Sequence, residues 1–495
     1  MNSDEAFGSL IDIDSANDLI DMTPAQFRQL GYKAVDLIAD NLERLQNRHE
    51  PARRAVPTAL RTQILAHPLP ATGSDPATLL EFVEQHILPY PLGNINPRFF
   101  AWINSPAAPI SILGELLAAG MNTSAAGGDQ ASTYLEHAVL NWLKEIMGFP
   151  RESGGLLVSG GSMATLVGLT VMRYCKTQTS NIRAHGMQQE PTPMVVYKSA
   201  EGHSCIDKAV EMLGIGHNYL RKIPVDAECR MDVVHLAQQI SADRQAGLNP
   251  VCVVASAGTV NTGAIDRFDE IADICQRENL WLHVDGAYGA IGVLAEQAAH
   301  LYKGMARADS LGLDPHKWMY VPVECGCALV KDQEAMRNAF SLVPAYLRDD
   351  RQLPWFAEYG PQQTRGFRAL KLWLAMQQLG VAGYRQLISR DVALAQLLRA
   401  KIAARADFEL MAAGPLSVTC FRYAPTGVHD LRALNRGLLE VVQSQGQTYL
   451  TSTEIHGEFV LRATVVNFRT DVSDLDFLLD AIEQAGQEVC ESQRS

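Results

Sequence analysis

Two side chains of this sequence have the types and setting for covalent chemistry. Asp285 closes the apolar run LWLHVD, and Lys317 lies in DPHKW, directly after the run SLGL. A carboxylate at the end of a buried strand is costly unless something cationic meets it. A lysine amine beside a heteroaromatic aldehyde forms a Schiff base, and a buried carboxylate opposite keeps the ring nitrogen protonated so that the ring accepts electrons. One lysine and one carboxylate on a common rim therefore point to pyridoxal 5'-phosphate. Its phosphate needs backbone N–H groups at a small-residue turn that opens a helix. Ser159-Gly160-Gly161-Ser162, between the strand-like LLV and a helix expected from Met163, has that form. His203, in EGHSCIDKA, is placed past a strand end to stack on one face of the ring, and the small Ala287 leaves room on the other.

Other chemistries use some of the same residues. Ser162, Asp285 and His316 follow the chain order of an α/β serine hydrolase triad, with GGSMA approximating its nucleophile elbow. That reading leaves Lys317 and His203 idle. Cys325 and Cys327 would make two thiolate ligands, but alternation along a strand explains them without a metal, and no metal is expected. A solvated Lys317 at a strand that surfaces is the plainest alternative of all.

For these groups to meet, one rim must carry them. Between about residues 110 and 340, helical stretches alternate with PMVVY, PVCVVAS, LWLHVD, SLGLD and CALV. This is an α/β pattern, a mainly parallel sheet covered by helices. Such sheets bind ligands at the carboxyl ends of their strands. Here four of those ends run into KSAEGHS, AGTVNTG, DGAYG and DPHKW. Upstream, Thr23 to Leu45 reads as a helix with Thr23 as N-cap and Pro24 at its first position. It is expected to be an arm that packs on something else, such as a second subunit. The stretch from Leu342 to Gln363 has no clean periodicity, and a loop that long usually has a function. FRALKLWLAMQQLG reads as a helix, and the rest as a smaller C-terminal α+β domain. The division expected is an N-terminal arm over 1–108, a large domain over 109–370 with a mobile catalytic loop at 342–360, and a small domain over 371–495.

Composition sets bounds on partners. With 495 residues, 47% hydrophobic and 20% charged, the chain can bury a real catalytic cleft. Its net charge of −13 argues against nucleic acid and anionic membrane surfaces. Nine scattered cysteines with no CxxC pair indicate neither a disulfide framework nor a zinc ribbon, and fit a reducing cytoplasm. The acidic start MNSDEAFGSLIDIDSAND is not a secretory signal, and no apolar stretch approaches the length of a membrane span.

The motifs LWLHVDGAYGA, DSLGLDPHKW, SGGSMATLVGL, EGHSCIDKA and SAGTVNTGAID together resemble the group II pyridoxal-phosphate-dependent amino-acid decarboxylases, which include the aromatic-L-amino-acid enzymes. The resemblance runs from about Thr23 to Glu483. It implies a type I aminotransferase fold and a homodimer with shared active sites. By the same resemblance Lys317 carries the Schiff base, Asp285 partners the pyridine nitrogen, and His203 stacks on the ring. Gly161 and Ser162 correspond to phosphate contacts, Thr259 and His316 to further cofactor positions, and Ser105 to a residue that meets substrate. The implied reaction is decarboxylation of an L-amino acid to the amine and carbon dioxide, through an external aldimine, with Tyr346 in VPAYLRDD returning a proton to Cα. Relatives that make an aldehyde by oxidative deamination resemble the same pattern but often carry phenylalanine in place of that tyrosine, or asparagine in place of the stacking histidine.

Several positions depart from the family pattern. Asn94 stands where aromatic-amino-acid members have tryptophan, Ile103 replaces a phenylalanine, and NTSAAGGDQAST is small and polar. Thr364 takes a position associated with substrate choice. Asp314 stands where many members have asparagine near the phosphate, and a second anion there is unfavourable unless protonated or paired, with Arg365 a candidate partner. Trp102 still supplies an aromatic wall, so an aromatic L-amino acid leads over a smaller or acidic one.

Overall fold

The computed structural model describes residues 20–46, 48, 50–342 and 353–492. The chain divides into two compact units, residues 1–93 and 94–495. In the first, helices span Pro24–Arg44, Thr58–Leu65 and Pro76–His86. The first of these starts as expected. The Thr23 hydroxyl accepts the Gln26 N–H while the Gln26 side chain accepts the Thr23 N–H, a reciprocal capping box with Pro24 behind it. No residue of this helix is buried, and Phe27 and Tyr32 stand 64% and 65% exposed.

The second unit is built on a seven-stranded sheet: β1 (Gly154–Val158), β2 (Met194–Ser199), β3 (Leu220–Ile223), β4 (Asn249–Ser256), β5 (Trp281–Asp285), β6 (Ser310–Leu313) and β7 (Gly326–Val330). Their spatial order is β1-β7-β6-β5-β4-β2-β3. Strands β3, β2, β4, β5 and β6 run parallel, and β7 alone runs against its neighbours. Every residue of β1, β2, β5, β6 and β7 is buried, as a sheet covered on both faces requires. The five apolar runs singled out in the sequence are β2, β4, β5, β6 and β7. The edge strand β3, LRKI, was not legible, because two of its four residues are charged and only its ends are buried.

A second sheet follows, with β8 (Phe408–Ala413), β9 (Val418–Tyr423), β10 (Thr451–Ile455) and β11 (Glu458–Thr464) in the order β10-β11-β9-β8, all antiparallel. Strands β10 and β11 meet through His456-Gly457, both at positive φ (50° and 82°), the geometry a two-residue hairpin turn needs. The helical segment Arg368–Ala403 packs on both the large-sheet side and β8, bending at Gly380, where φ is +61°. No helix among the described residues is long and apolar enough to cross a membrane.

One buried ion pair ties a helix, strand β1 and two loops of this unit together. Glu136, on the helix Ala131–Met147, and Arg365 have side chains 0% and 1% exposed. Arg365 also donates to the carbonyls of Ala125 and Leu157 (2.6 Å each), and Glu136 accepts the Leu157 N–H at 3.1 Å. Removing one partner of a buried pair strands the other charge, which costs about 3–5 kcal/mol. Glu136→Gln is therefore expected to lower the thermal midpoint by several degrees. Glu136→Gln with Arg365→Met should recover part of that loss, since no buried charge remains; a double variant no better than the single one would refute the pairing.

Candidate active site

The site begins at the register of the central strands. Asp285, last residue of β5, lies level with Ser256, last of β4, and with Gly312 of β6. One residue past β6 the chain turns at Asp314, and PHKW makes a single helical turn with Pro315 at its start. Lys317 thus sits on this turn, just beyond the strand end.

The turn is held from several sides. The Ser105 hydroxyl donates to the Lys317 carbonyl, and Tyr384 donates to that of Met319 (3.0 Å). Ala108 N–H donates to the Tyr320 carbonyl at 2.7 Å. Asp391, fully buried on the long helical segment, accepts from both Trp318 Nε1 (2.9 Å) and the Tyr320 hydroxyl (2.6 Å). Burial pushes the Asp391 carboxyl up to about 6, against the two donors. The Trp318 ring stacks on Tyr288 at 5.2 Å and 24°. Backbone and neighbours are fixed, while the lysine side chain is left to reach forward.

It reaches into a cavity of about 370 Å³. Gly161, Ser162, His203, Thr259, Asp285, Ala287, Asp314, His316, Lys317 and Ile103 all line it. Lys317 Nζ lies 3.1 Å from Asp314 Oδ2, while Asp285 Oδ1 accepts the Ala287 N–H at 3.2 Å. Among the described residues the Lys317 ammonium pairs with Asp314, three residues back on its own turn.

His203 caps the helix Ser204–Met212, its Nδ1 accepting the Cys205 N–H at 3.1 Å. Burial holds its pKa below the ordinary histidine value; Lys317 and Lys198 act in the same direction, against Asp285 and Asp314. An acceptor Nδ1 and a depressed pKa both describe a neutral ring. Lys198, at the end of β2, fixes the loop that carries it, donating to the carbonyls of Gly202 (3.0 Å) and His203 (3.3 Å) and pairing with Asp207. Thr259 Oγ1 accepts the Ala264 N–H and lies 3.0 Å from Thr262 Oγ1. His316 Nδ1 lies 2.8 Å from the Cys325 carbonyl oxygen and 3.3 Å from the Cys325 nitrogen, which leaves Nε2 facing Asp314 at 3.9 Å.

The helix expected from Met163 begins two residues earlier, at Gly161, and carries no side-chain cap. A Cβ on Gly161 would stand 2.7 Å from that of Ala287 and 3.0 Å from Asp314 Oδ2, and one on Gly326 would strike the Gly160 backbone at 2.5 Å. Asp314 Oδ1 is buried with no hydrogen-bond partner among the described residues. A glycine cradle opening a 16-residue helix, a lysine amine and a buried carboxylate on one cavity fit a phosphate-bearing aromatic aldehyde.

Three described residues expected at the substrate end are not among those lining this cavity. Ser105 spends its hydroxyl on the Lys317 carbonyl. Trp102, at φ +49° and 43% exposed, tilts against Phe99 and Tyr449. Thr364 is exposed, and Tyr346 lies outside the described residues. Arg365, considered as a partner for Asp314, is committed to Glu136. Ser162, Asp285 and His316 do share the cavity, but His316 bonds to Cys325 and Asp285 to Ala287, so no triad relay is formed. Lys198, Asp391 and Tyr288 were missed. The sequence offered a signal only for Lys198, a lysine at a strand end with Asp207 downstream.

Residues 58–424 match the family model described as the pyridoxal-dependent decarboxylase conserved domain. This chain belongs to that family. Aromatic-L-amino-acid decarboxylase of Bacillus atrophaeus is 34% identical to it over 483 residues, 95% of this chain and 97% of its own. Phenylacetaldehyde synthase of Petunia hybrida is 28% identical over 93% of this chain and 94% of its own. Among solved structures, Oryza sativa TDC with PLP and tryptamine superposes with a TM-score of 0.86 at 26% identity, covering 94% of this chain and 99% of that one. The fold is that of the pyridoxal-dependent decarboxylases, the cofactor is pyridoxal phosphate, and the protein is a decarboxylase.

In this decarboxylase a third histidine underlies the site. His283, two residues before Asp285 on β5, is fully buried, its Nδ1 2.8 Å from Ser310 Oγ and its Nε2 without a hydrogen-bond partner among the described residues. Burial lowers its pKa to about 4. The unfolded chain takes up this proton near 6.5 and the folded one only near 4, so its contribution is complete above pH 6.5 and lost as pH falls through 4. At most about 3 kcal/mol is at stake. The thermal midpoint should fall over that window and His283→Asn should flatten the fall; an equal fall in the variant would exclude His283.

Proposed function

We infer that this decarboxylase converts an L-amino acid, with an aromatic one as lead substrate, to its amine and carbon dioxide, using Lys317 as the Schiff-base lysine. The observation that carries the reading is that Lys317, Asp285, His203 and the Gly161 turn, from four separate strand ends, line one cavity. When bound, pyridoxal phosphate supplies an aldehyde that condenses with amines and a ring that takes up the electron pair left by departing carbon dioxide.

The chain's own residues prepare that chemistry. Asp285, buried and anchored by Ala287 N–H, keeps a proton on a ring nitrogen by its negative charge. A neutral His203 packs on the ring without opposing that charge. Gly161 and Ser162 would present N–H groups to the phosphate, with Thr259, Ala287, Asp314 and His316 lining the same pocket. Lys317, whenever its amine is free, would have Asp314 within reach to hold it as an ammonium. Tyr346 returns the proton to Cα, a role we carry over from the family resemblance. Trp102, Ser105, Ile103 and Thr364 are assigned to the substrate side on the same ground.

A second subunit is part of this reading. The helix Pro109–Met121 leaves Leu113, Leu116, Leu117 and Met121 between 45% and 58% exposed along one face, a spacing that suits an apolar partner surface. A homodimer covers that face, and Leu116→Glu is expected to shift the mass in light scattering from dimer to monomer. An unchanged dimer would move the interface elsewhere. A cytoplasmic location is supported by the nine free thiols.

Oxidative deamination to an aldehyde is the second reading, favoured by the similarity to phenylacetaldehyde synthase. A screen of the twenty L-amino acids and L-DOPA for carbon dioxide, amine, ammonia and peroxide separates the two. Amine with carbon dioxide is expected; ammonia with peroxide would transfer the enzyme to the aldehyde-forming branch. Tyr346→Phe should lower the amine yield at least tenfold and raise the aldehyde-to-amine ratio, and an unchanged ratio and rate would remove Tyr346 from the proton-donor role.

A further inference from the structure

Asp314 is out of place beside a phosphate. Its side chain is 2% exposed and stands against the turn that opens the helix at Gly161, where a Cβ would come within 3.0 Å of Oδ2. Oδ2 has the Lys317 ammonium at 3.1 Å, whereas Oδ1, on the side of Gly160, is buried and bonded to nothing among the described residues. An orphaned carboxylate oxygen is an acceptor, and a fully ionised phosphate offers it only further acceptors.

The charged and titratable groups around Asp314 do not resolve this. On its own turn are Lys317 and, at 3.9 Å, His316 Nε2. Across the cavity are His203 and the second carboxylate, Asp285. Behind it, Cys325 and Cys327 are neutral thiols with pKa values raised by burial, and Glu324 is paired with Arg368. Lys317 is thus the one ammonium within ion-pair distance among the described residues. Schiff-base formation withdraws it: the nitrogen gives two of its three hydrogens to the aldehyde oxygen, which leaves as water, and keeps one on a protonated imine. That nitrogen is then bonded to the aldehyde carbon and no longer an ammonium at Oδ2, so two anions, carboxylate and phosphate, would face each other in a buried site.

We propose that one proton is held between Asp314 and the phosphate whenever the cofactor is seated, with Asp314 Oδ1 as the hydrogen-bonding atom, so that cofactor retention in this enzyme is coupled to the uptake of a proton. The proposal rests on the phosphate lying in the Ser159–Ser162 turn. Its consequence is that affinity for pyridoxal phosphate is lost on raising pH in a way that Asp314→Asn abolishes, because the amide supplies an N–H at every pH.

The test is titration of the apoenzyme with pyridoxal phosphate between pH 6 and 9, read by protein fluorescence and the visible band, for the wild type, Asp314→Asn and Asp314→Ser. The ratio of wild-type to Asp314→Asn dissociation constants should climb with pH, by up to about tenfold per unit once the coupled proton must be taken from solution. Calorimetry in two buffers of different ionisation enthalpy at pH 8 should show up to one more proton taken up by the wild type. The serine variant, uncharged and smaller, should track the asparagine one, which separates loss of charge from misfolding. With pyridoxal, which lacks the phosphate, the ratio should be flat. A ratio independent of pH for pyridoxal phosphate itself overturns the coupling. Gly161→Ala and Ser162→Ala decide which premise has failed. If both bind pyridoxal phosphate as the wild type does, the phosphate is not in this turn; if they weaken binding while the ratio stays flat, the turn stands and only the coupling is wrong.

Discussion

Residues 317–320 are gripped from outside the sheet by Ser105, Ala108, Tyr384 and Asp391, and the placement of the reactive amine follows from that grip. A lysine side chain carries roughly 2 kcal/mol of rotamer entropy, so it cannot be aimed by its own preferences. It is aimed here by immobilising its backbone and the two aromatic side chains that follow. Trp318 and Tyr320 share one buried carboxylate, and Trp318 lies flat on Tyr288, which is itself anchored near Ser417. The amine then projects into the cavity from a turn that is held on several sides, as the Schiff-base role proposed for it requires.

Around that amine the rim of the sheet assembles charges that would be prohibitive singly. Asp285 and Asp314 are both buried, His203 is held neutral, and Lys198 is spent on the loop that positions His203. Parallel strands make this arrangement available, because their carboxyl ends converge on one edge while the central strands themselves are buried. The rim offers a lysine amine, two buried carboxylates, a neutral imidazole and a glycine turn that opens a helix, and the proposed residue roles are drawn from that set. The family match and the similarity to decarboxylases over nearly the whole chain agree with that inventory.

Much of the cofactor end was legible because local rules govern it. Asp285 and Lys317 stand out as charges at the ends of apolar runs, Gly160 and Gly161 as a turn before a helix, and His203 as a ring just past a strand. Asp391 was not legible: it lies some seventy residues from the aromatic side chains it holds, with no pattern linking them. The Glu136–Arg365 pair was hidden for the same reason. The choice of Asp314 over Asp285 as the partner of Lys317 depends on the one-turn helix after β6, which composition alone does not reveal. At the substrate end, Trp102 sits at positive φ on a path set by Phe99 and Tyr449, so its direction follows from tertiary contacts and not from its type.

The most direct test of the central assignment is borohydride reduction of the purified holoenzyme followed by peptide mapping. The account predicts loss of the visible band and a single pyridoxyl-phosphate adduct on the peptide containing Lys317. An adduct on another lysine, or a band that borohydride leaves intact, would contradict it.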